Sequence, residues 1–310
     1  MALHHNTPLV NHRNSNNISS PSVWLKMENL QPTGSFKIRG IGRLCEDAKV
    51  QGITQFVSSS GGNAGYAAAY AGRKLEVKTK VFVPNSTPED IMERIRKLGA
   101  VVEVAGSVWD ETDKVALEYA KEVDGLYISP FDHPLIWEGN GTIIGEIANV
   151  LDKPDAIVLS VGGGGLMCGV LQGLNNNNWE DVPVIAVETE GTASLSSSIK
   201  EKKLVTLNEI SGVAMSLGAK TVSQKAFDWT QDHQIIPVVV SDKEAIQACV
   251  DFKDKYDYFV EPACGASLSI IDKQIPQLEK IKNIVIIVCG GIGADEEKLN
   301  SWKKMFEINA

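Results

Sequence analysis

The sequence predicts an α/β fold with two open, mostly parallel sheets flanked by helices. Short apolar segments rich in β-branched residues alternate with helix-like segments along almost the whole chain. Four of the strand-like segments are apolar on both faces, which is typical of parallel strands buried between helical layers; they are residues 156–161, 184–187, 235–240 and 284–289. The chain has 310 residues, which is enough for two domains, and the alternation of strands and helices favours the α/β class.

Each element is predicted from its own pattern. Residues 88–98 are predicted to form a helix because Pro88 stands near its start and Gly99 follows its end, the usual asymmetry of helix termini. Further helices are predicted over residues 64–75, 109–123 and 166–174. Strands are predicted over residues 54–58, 80–83, 100–104, 156–161, 184–187, 235–240 and 284–289. Two Asn-rich segments are predicted to be solvated loops, namely residues 11–20 and 175–178.

The domain boundaries are predicted from the same order of elements. The compact run of strands and helices over residues 31–134 indicates a small domain, which contains the polar turn 58–65 discussed below. Residues 1–30 and 135–310 are predicted to form a large domain together, with the remaining glycine-rich turns.

The composition excludes several classes of function. A net charge of −9 argues against a nucleic-acid-binding surface, which needs a basic stripe. No apolar run is long enough to cross a membrane, and the five histidines have no metal-binding spacing. The five cysteines are scattered, which predicts a reducing compartment, the cytoplasm, rather than a disulfide framework.

One lysine, Lys37, stands where the polar loop 31–34 gives way to an apparent helix. A lysine amine can form an imine with an aldehyde cofactor. The alternative is that Lys37 is simply one of the 30 Lys and Arg residues of the chain and solvates a helix. Two glycine-rich segments and one cysteine favour the first interpretation.

Four consecutive glycines, Gly162, Gly163, Gly164 and Gly165, lie between a predicted strand and a predicted helix. Glycines at such a turn let backbone N–H groups converge on an anion at the positive end of the helix. The pattern therefore favours a phosphate site over a plain tight turn. It lacks both the Gly-Lys-Ser/Thr ending of a P-loop and the third glycine of a dinucleotide-binding fingerprint.

A second polar turn, residues 58–65, also separates a strand from a helix. Backbone N–H groups and a serine hydroxyl at a helix N-terminus suit a carboxylate ligand. An N-cap alone would need only Asn63 or Ser60, so the surplus of polar groups favours a ligand.

Cys289 ends the last predicted strand, and ligands of open α/β sheets bind at the carboxyl ends of strands. Taken alone, Cys289 is interpreted as a small buried apolar residue. Glu188 also follows a strand and is either a site residue or a helix-start carboxylate. A lysine, a phosphate site, a carboxylate site and a thiol together suit pyridoxal phosphate, whose ring is an electron sink.

Seven motifs carry a family resemblance; they cover residues 28–40, 62–65, 129–132, 134–139, 160–166, 261–265 and 288–291. Through these motifs the sequence resembles the serine/threonine dehydratases, and most closely the short serine dehydratases. The family has the tryptophan-synthase-β-like fold, the fold type II of pyridoxal-phosphate enzymes. The resemblance implies α,β-elimination of water from L-serine, and from L-threonine, to give pyruvate or 2-oxobutanoate and ammonia.

The resemblance also implies a role for each matching residue. Lys37 binds the cofactor covalently and acts as the general base, Phe36 packs against the ring, and residues 162–165 hold the phosphate. Asn63 contacts the ring hydroxyl and Cys289 faces the pyridine nitrogen. The implied substrate-binding residues, of which Ser60 is also catalytic, are Ser60, Gly61, Gly62, Asn63 and Phe131.

Family members also bind a monovalent cation, K⁺, near the phosphate site. By matching position, its oxygens would come mostly from backbone carbonyls, at Gly162, Glu188, Thr192, Leu217 and Ala219.

Three other functions remain open. A β-replacement enzyme such as cysteine synthase is disfavoured by Cys289 and by the 60–63 segment. A serine racemase of the same fold stays possible because Ser60 lies near the site. A ligand-binding pseudoenzyme is disfavoured by the intact Lys37. The expected partner is a small amino acid, with no nucleic acid or membrane, and a homodimer is the expected assembly for an enzyme of this class.

Overall fold

The computed structural model describes residues 2–12, 22–271, 273 and 281–308. Within these ranges it contains ten strands and eleven α-helices. The strands are β1 (Leu9–His12), β2 (Ser22–Lys26), β3 (Gln55–Ser58), β4 (Lys78–Val83), β5 (Val101–Val104), β6 (Leu126–Ile128), β7 (Ala156–Ser160), β8 (Val184–Thr189), β9 (Ile235–Val240) and β10 (Asn283–Ile287). The helices are α1 (Lys37–Val50), α2 (Asn63–Leu75), α3 (Glu89–Lys97), α4 (Trp109–Glu122), α5 (Pro134–Ala148), α6 (Gly165–Asn176), α7 (Ser194–Glu201), α8 (Gln224–Asp232), α9 (Asp242–Tyr256), α10 (Pro262–Leu268) and α11 (Glu296–Met305).

The larger sheet has six strands in the order β1-β2-β10-β7-β8-β9. All neighbours are parallel except β1, which pairs antiparallel with β2. Every residue of β7 and β8 is buried, because helices cover both faces of central parallel strands. The main hydrophobic core lies on this sheet and includes residues from α5, α6, α9 and α10.

The smaller sheet has four parallel strands in the order β5-β4-β3-β6. Side chains alternate between its two faces. Phe56 packs in a cluster with residues of α1 and α2, whereas Val57 and Phe82 pack in a cluster with residues of α4. Two mostly parallel sheets flanked by helices are therefore confirmed.

Glycines bring helices α5 and α6 into close contact. A Cβ atom on Gly169 would lie 2.6 Å from the carbonyl oxygen of Trp137, and one on Gly173 would lie 2.5 Å from that of Gly141. Neither distance is possible for a real side chain, so these positions require glycine. The close packing fixes α6, whose N-terminus faces the site described below.

Several predicted boundaries need correction. Asn11 and His12 belong to β1, and Asn175 and Asn176 end helix α6, so the predicted loops were wrong at these residues; residues 13–20 lie outside the described ranges. Pairing with β2 and continuation of the α6 hydrogen bonds override the polar composition of these segments. The division into domains at residues 31 and 134 stays a prediction.

In the part of the chain that the structure describes, no helix is both long enough and apolar enough to cross a membrane.

Candidate active site

A cleft lies where loops from both sheets meet. Asn63 follows strand β3, residues 162–165 follow β7, and Cys289 follows β10; all of them line the cleft together with Lys37. Ligands of open parallel sheets bind at the carboxyl ends of strands. The fold thus brings the predicted lysine, the glycine run, the asparagine and the thiol together.

Lys37 is the first residue of helix α1, and its side chain enters the cleft. Its amine donates a hydrogen bond of 2.6 Å to the carbonyl oxygen of Pro130, and the Phe36 ring lies 5.3 Å from the same nitrogen. Burial lowers the pKa of Lys37 to about 8, although the negative charge of Glu261 acts in the opposite direction. A much larger fraction of this amine is therefore neutral near physiological pH than of an ordinary lysine, as a nucleophile or general base requires.

Backbone contacts tie the start of α1 to the segment that follows β10. Ser35 and Gly290 form a bridge, and the N–H of Phe36 donates to the carbonyl oxygen of Cys289 at 3.2 Å. The N–H of Gly291 donates to Gly34 at 2.9 Å. The lysine and the thiol are consequently held in a fixed relation by main-chain bonds.

A buried ion-pair network holds the first turn of α1 in place. Arg39, which is fully buried, bonds both carboxylate oxygens of Glu28 at 2.6 and 2.8 Å and both of Glu146 at 2.7 Å. Lys26 adds a bond of 2.5 Å to Glu146. Two carboxylates facing two cations satisfy the charges that burial would otherwise penalise. Arg39 is two residues from Lys37, so the network orients the helix that carries the amine.

The glycine run forms the turn from β7 into α6. Gly164 has a φ of +92° and caps the helix, and the N–H of Cys168 is the first to bond back, to the Gly164 carbonyl at 2.8 Å. The N–H groups of the first helical turn therefore have no intrahelical partner. A Cβ on Gly163 would lie 2.4 Å from the Phe131 ring, so Phe131 forms the floor of this turn.

Asn63 is held by a network that the sequence analysis did not predict. Its side-chain amide donates to both carboxylate oxygens of Glu261, at 3.2 and 3.0 Å, and its oxygen accepts the N–H of Ile292 at 2.9 Å. Glu261 also accepts from the Ser216 hydroxyl at 2.6 Å and from the N–H of Gly293 at 2.7 Å. Glu261 and Ser216 both line the cleft. The only signal for Glu261 was the motif at residues 261–265.

The predicted carboxylate loop, residues 60–62, leads into the cleft but does not line it. The Ser60 hydroxyl accepts the N–H of Gly62 at 3.3 Å. A Cβ on Gly61 would lie 2.5 Å from the Thr87 hydroxyl oxygen, so this loop packs against the loop that precedes α3.

Cys289 is 7% exposed and borders the cleft. A hydrogen bond with the Cys264 thiol, and then burial, raise the pKa of Cys289 well above its ordinary value. The Cys289 side chain is therefore a neutral thiol, which can exchange a weak hydrogen bond with a ring nitrogen but carries no charge.

In the predicted cation site, Gly162 follows strand β7, and Glu188 lies near the end of β8, the strand that pairs with β7. A Cβ on Gly162 would lie 3.1 Å from the Leu217 carbonyl oxygen, which accepts the N–H of Ala219 at 2.7 Å. The carboxylate of Glu188 instead caps α7, where it accepts the N–H of Leu195 at 2.7 Å. Glu188 also accepts hydrogen bonds from Ser196, and Thr192 contacts Thr189. Among the described residues no group of three or more His, Cys, Asp or Glu is arranged to hold a metal ion.

The donor set fits an aldehyde cofactor that carries a phosphate. The cleft presents an amine with a depressed pKa, N–H groups at a helix N-terminus, and a neutral thiol. The Ser35 hydroxyl is also buried in its wall and has no hydrogen-bond partner among the described residues. An unpaired buried hydroxyl costs free energy unless a ligand supplies a partner.

Comparison with known proteins agrees with this geometry. A family model described as pyridoxal-phosphate dependent enzyme matches residues 1–290. The L-serine dehydratase/L-threonine deaminase of Mus musculus is 46% identical in an alignment that covers 99% of this chain and 97% of that protein. The L-serine dehydratase of Dictyostelium discoideum is 45% identical over 295 residues, which cover 90% and 84%. The crystal structure of a fungal L-serine ammonia-lyase from Rhizomucor miehei matches with a TM-score of 0.94 at 36% identity, over 99% of this chain and 100% of that one.

These matches confirm the predicted fold type II architecture of the chain. Because the family model covers most of the sequence and several relatives exceed 40% identity over nearly the full length, the chain belongs to the pyridoxal-phosphate-dependent enzymes.

Proposed function

We propose that this enzyme eliminates water from L-serine, and from L-threonine, to give pyruvate or 2-oxobutanoate and ammonia. The observation that carries the proposal is the buried amine of Lys37 facing the glycine turn and the Cys289 thiol in one cleft. The near full-length similarity to enzymes named L-serine dehydratase supports the choice of substrate.

Several residues of the cleft would each bind a different part of the cofactor. Lys37 would bind it covalently, the N–H groups of the turn 162–165 would take its phosphate, and Phe36 would pack against its ring. Asn63 would meet the ring hydroxyl, and the Cys289 thiol would face the ring nitrogen. When bound, pyridoxal phosphate supplies an electron sink that makes the α-hydrogen of an amino acid acidic.

The remaining steps fall to the protein. The loop 60–63, together with Phe131, would bind and orient the substrate, with the N–H groups of the loop receiving its carboxylate. The substrate amino group would displace the Lys37 amine, which would then be free to remove the α-proton as general base. Ser60 is the second side chain proposed to act at the reacting atoms. The β-hydroxyl leaves as water, and hydrolysis of the resulting enamine releases the oxo acid and ammonia.

The direct test of this function measures products from both substrates side by side. The purified enzyme with pyridoxal phosphate should release pyruvate from L-serine and 2-oxobutanoate from L-threonine, with one ammonia for each. The same samples are analysed for D-serine, and for cysteine after addition of sulfide. Racemisation or β-replacement faster than oxo-acid release would contradict the proposal.

We further propose that the enzyme is a cytoplasmic homodimer that binds K⁺ near the glycine turn. The proximity of the Leu217 carbonyl to Gly162 supports the cation site. Replacing K⁺ with tetramethylammonium in the assay buffer should lower the rate of oxo-acid release if the cation site exists. For the homodimer, light scattering should give twice the mass of the monomer.

The pKa of Lys37 predicts the pH dependence of cofactor capture. Imine formation needs the neutral amine, and with a pKa of about 8 about half of it is neutral at pH 8, against under about 1% for an ordinary lysine. The rate at which the apoprotein captures pyridoxal phosphate should rise with pH through about 8 and then level off, as followed by visible absorbance. In Glu261→Gln the midpoint should move to lower pH, because the charge that raises this pKa is lost. A midpoint above pH 10 would contradict the assignment.

Substitutions at Cys289 test whether its thiol meets the ring nitrogen. Cys289→Ser should change the rate of pyruvate formation only a little. Cys289→Ala should raise the activation free energy of this reaction by about 1–3 kcal/mol, because the buried ring nitrogen loses its hydrogen-bond partner. Cys289→Asp should favour a protonated ring and raise α-proton exchange relative to pyruvate formation. Both rates are measured in each variant, with Cys45→Ala as a control in a buried cluster on the smaller sheet. If the ratio of α-proton exchange to pyruvate formation is the same in every variant, Cys289 is only a buried apolar residue.

A further inference from the structure

The root of the loop 60–63 is bound to helix α4 by a small polar cluster. Ser59, directly after strand β3, is fully buried. Its hydroxyl donates to the carboxylate of Asp113 at 2.6 Å and lies 3.0 Å from the phenol oxygen of Tyr127. The Tyr127 phenol also donates to Asp113. Residues of β3, α4 and β6 are thus joined in one closed cluster.

The chemistry of this cluster makes it a firm anchor. Hydrogen bonds to an ionised carboxylate are roughly twice as strong as those between neutral groups. Burial raises the pKa of Tyr127, so its phenol stays protonated and remains a donor at all physiological pH values. None of the three residues lines the cleft.

The loop between this cluster and the cleft is short and rich in glycine. It consists of Ser60, Gly61 and Gly62, and glycines leave a backbone conformationally free. At its far end Asn63 is fixed by Glu261. The loop is therefore a three-residue span tied at both ends, and Ser59 is the tie on the side of the smaller sheet.

We infer that Asp113 and Tyr127 are positioning residues that set the geometry of the substrate-binding loop through Ser59. The inference rests on the proposed function, in which this loop receives the substrate carboxylate. Loosening one end of the span should weaken substrate binding while the lysine, the glycine turn and the thiol keep their places. Loss of binding that is equal in ground and transition states raises KM and leaves kcat unchanged.

The test compares Tyr127→Phe and Asp113→Asn with the wild-type holoenzyme. Both variants keep the shape of the side chain and weaken only its hydrogen bonds. We expect KM for L-serine to rise by about tenfold, within the range that small misplacements of binding groups cause. The kcat should stay within about twofold of wild type, and the visible spectrum of the bound cofactor should not change.

Thr112→Val is the matched control. Thr112 is the neighbouring buried residue on α4, and its hydroxyl bonds the carbonyl oxygens of Ala105 and Val108, away from Ser59. A similar rise of KM in this control would reveal a general effect of loosening α4 and would overturn the inference, as would an unchanged KM in both test variants.

A further variant keeps the test decisive if Asp113→Asn or Tyr127→Phe fails to fold. Ser59→Ala cuts the same contact from the loop side, and an unchanged KM there would also overturn the inference. If the wild type forms no oxo acid from serine or threonine, the proposed function fails instead, before any variant is compared.

Discussion

Replacing Lys37 with alanine is expected to abolish oxo-acid formation. The amine of Lys37 enters the cleft beside the Phe36 ring and has a pKa of about 8. Removing a general base alone typically slows a reaction by roughly 10²–10⁴-fold, and the variant also loses the covalent attachment of the cofactor. Activity should therefore fall below detection, while the circular dichroism of the protein remains that of the wild type.

Borohydride reduction followed by peptide mapping identifies the attachment site directly. In the wild type the reduced cofactor should be found on the peptide that contains Lys37, and in Lys37→Ala on none. Lys49→Ala serves as the control, because Lys49 is an exposed residue in the last turn of the same helix. Reduced cofactor on a different lysine, or turnover by Lys37→Ala, would refute the assignment of Lys37.

Strongly patterned elements of the fold were predictable, and weakly patterned ones were not. Strand β9 was predicted with its observed limits, because Ile235–Val240 is a compact β-branched run. Strands β1, β2 and β6 were missed. β1 has two apolar and two polar residues and becomes a strand by pairing with β2, which is itself aligned by β10, and β6 has just three residues, aligned by β3. Such elements owe their structure to tertiary contacts, which leave no local period in the sequence.

The parts of the site that depend on local chemistry were also predictable. The glycine run indicates its own function, because consecutive glycines between a strand and a helix let the backbone N–H groups approach an anion closely. The structure brings Lys37, Asn63 and Cys289 to the same cleft as this run, as expected for loops at the carboxyl ends of parallel strands. Their individual roles toward the cofactor and substrate stay predictions.

The contacts that hold those residues in place were not predictable. Glu261 binds Asn63 across 198 positions of sequence, and Asp113 binds Ser59 across 54. A carboxylate in a helix or at its start has many surface roles, and nothing in the local sequence of Glu261 or Asp113 shows which distant amide or hydroxyl it will meet. Only the packing of the two sheets reveals these partners.

Replacing Gly164 with alanine is expected to weaken cofactor binding far more than folding. A Cβ at Gly164 would lie 2.4 Å from that of Ala226, so the turn must shift and its N–H groups must turn away from the phosphate. Each lost hydrogen bond to a charged group costs roughly 1.5–3 kcal/mol, or about ten- to a hundredfold in Kd. The Kd of pyridoxal phosphate and the free energy of unfolding of the apoprotein are measured for each variant.

Two matched variants separate the effect on the phosphate site from backbone strain. Gly99 has a φ of +91°, almost equal to the +92° of Gly164, and nothing lies within 4 Å of a Cβ there. Gly99→Ala therefore carries the strain of a left-handed alanine, about 1–2 kcal/mol, without touching the cleft. It should lower stability and leave the Kd unchanged.

Combining Gly164→Ala with Ala226→Gly removes the clash and should restore much of the affinity for pyridoxal phosphate. The opposite result is that Gly164→Ala loses only as much unfolding free energy as Gly99→Ala does and keeps its cofactor on dilution. This turn would then tolerate a side chain where the phosphate is expected to lie, and the phosphate would have to bind elsewhere.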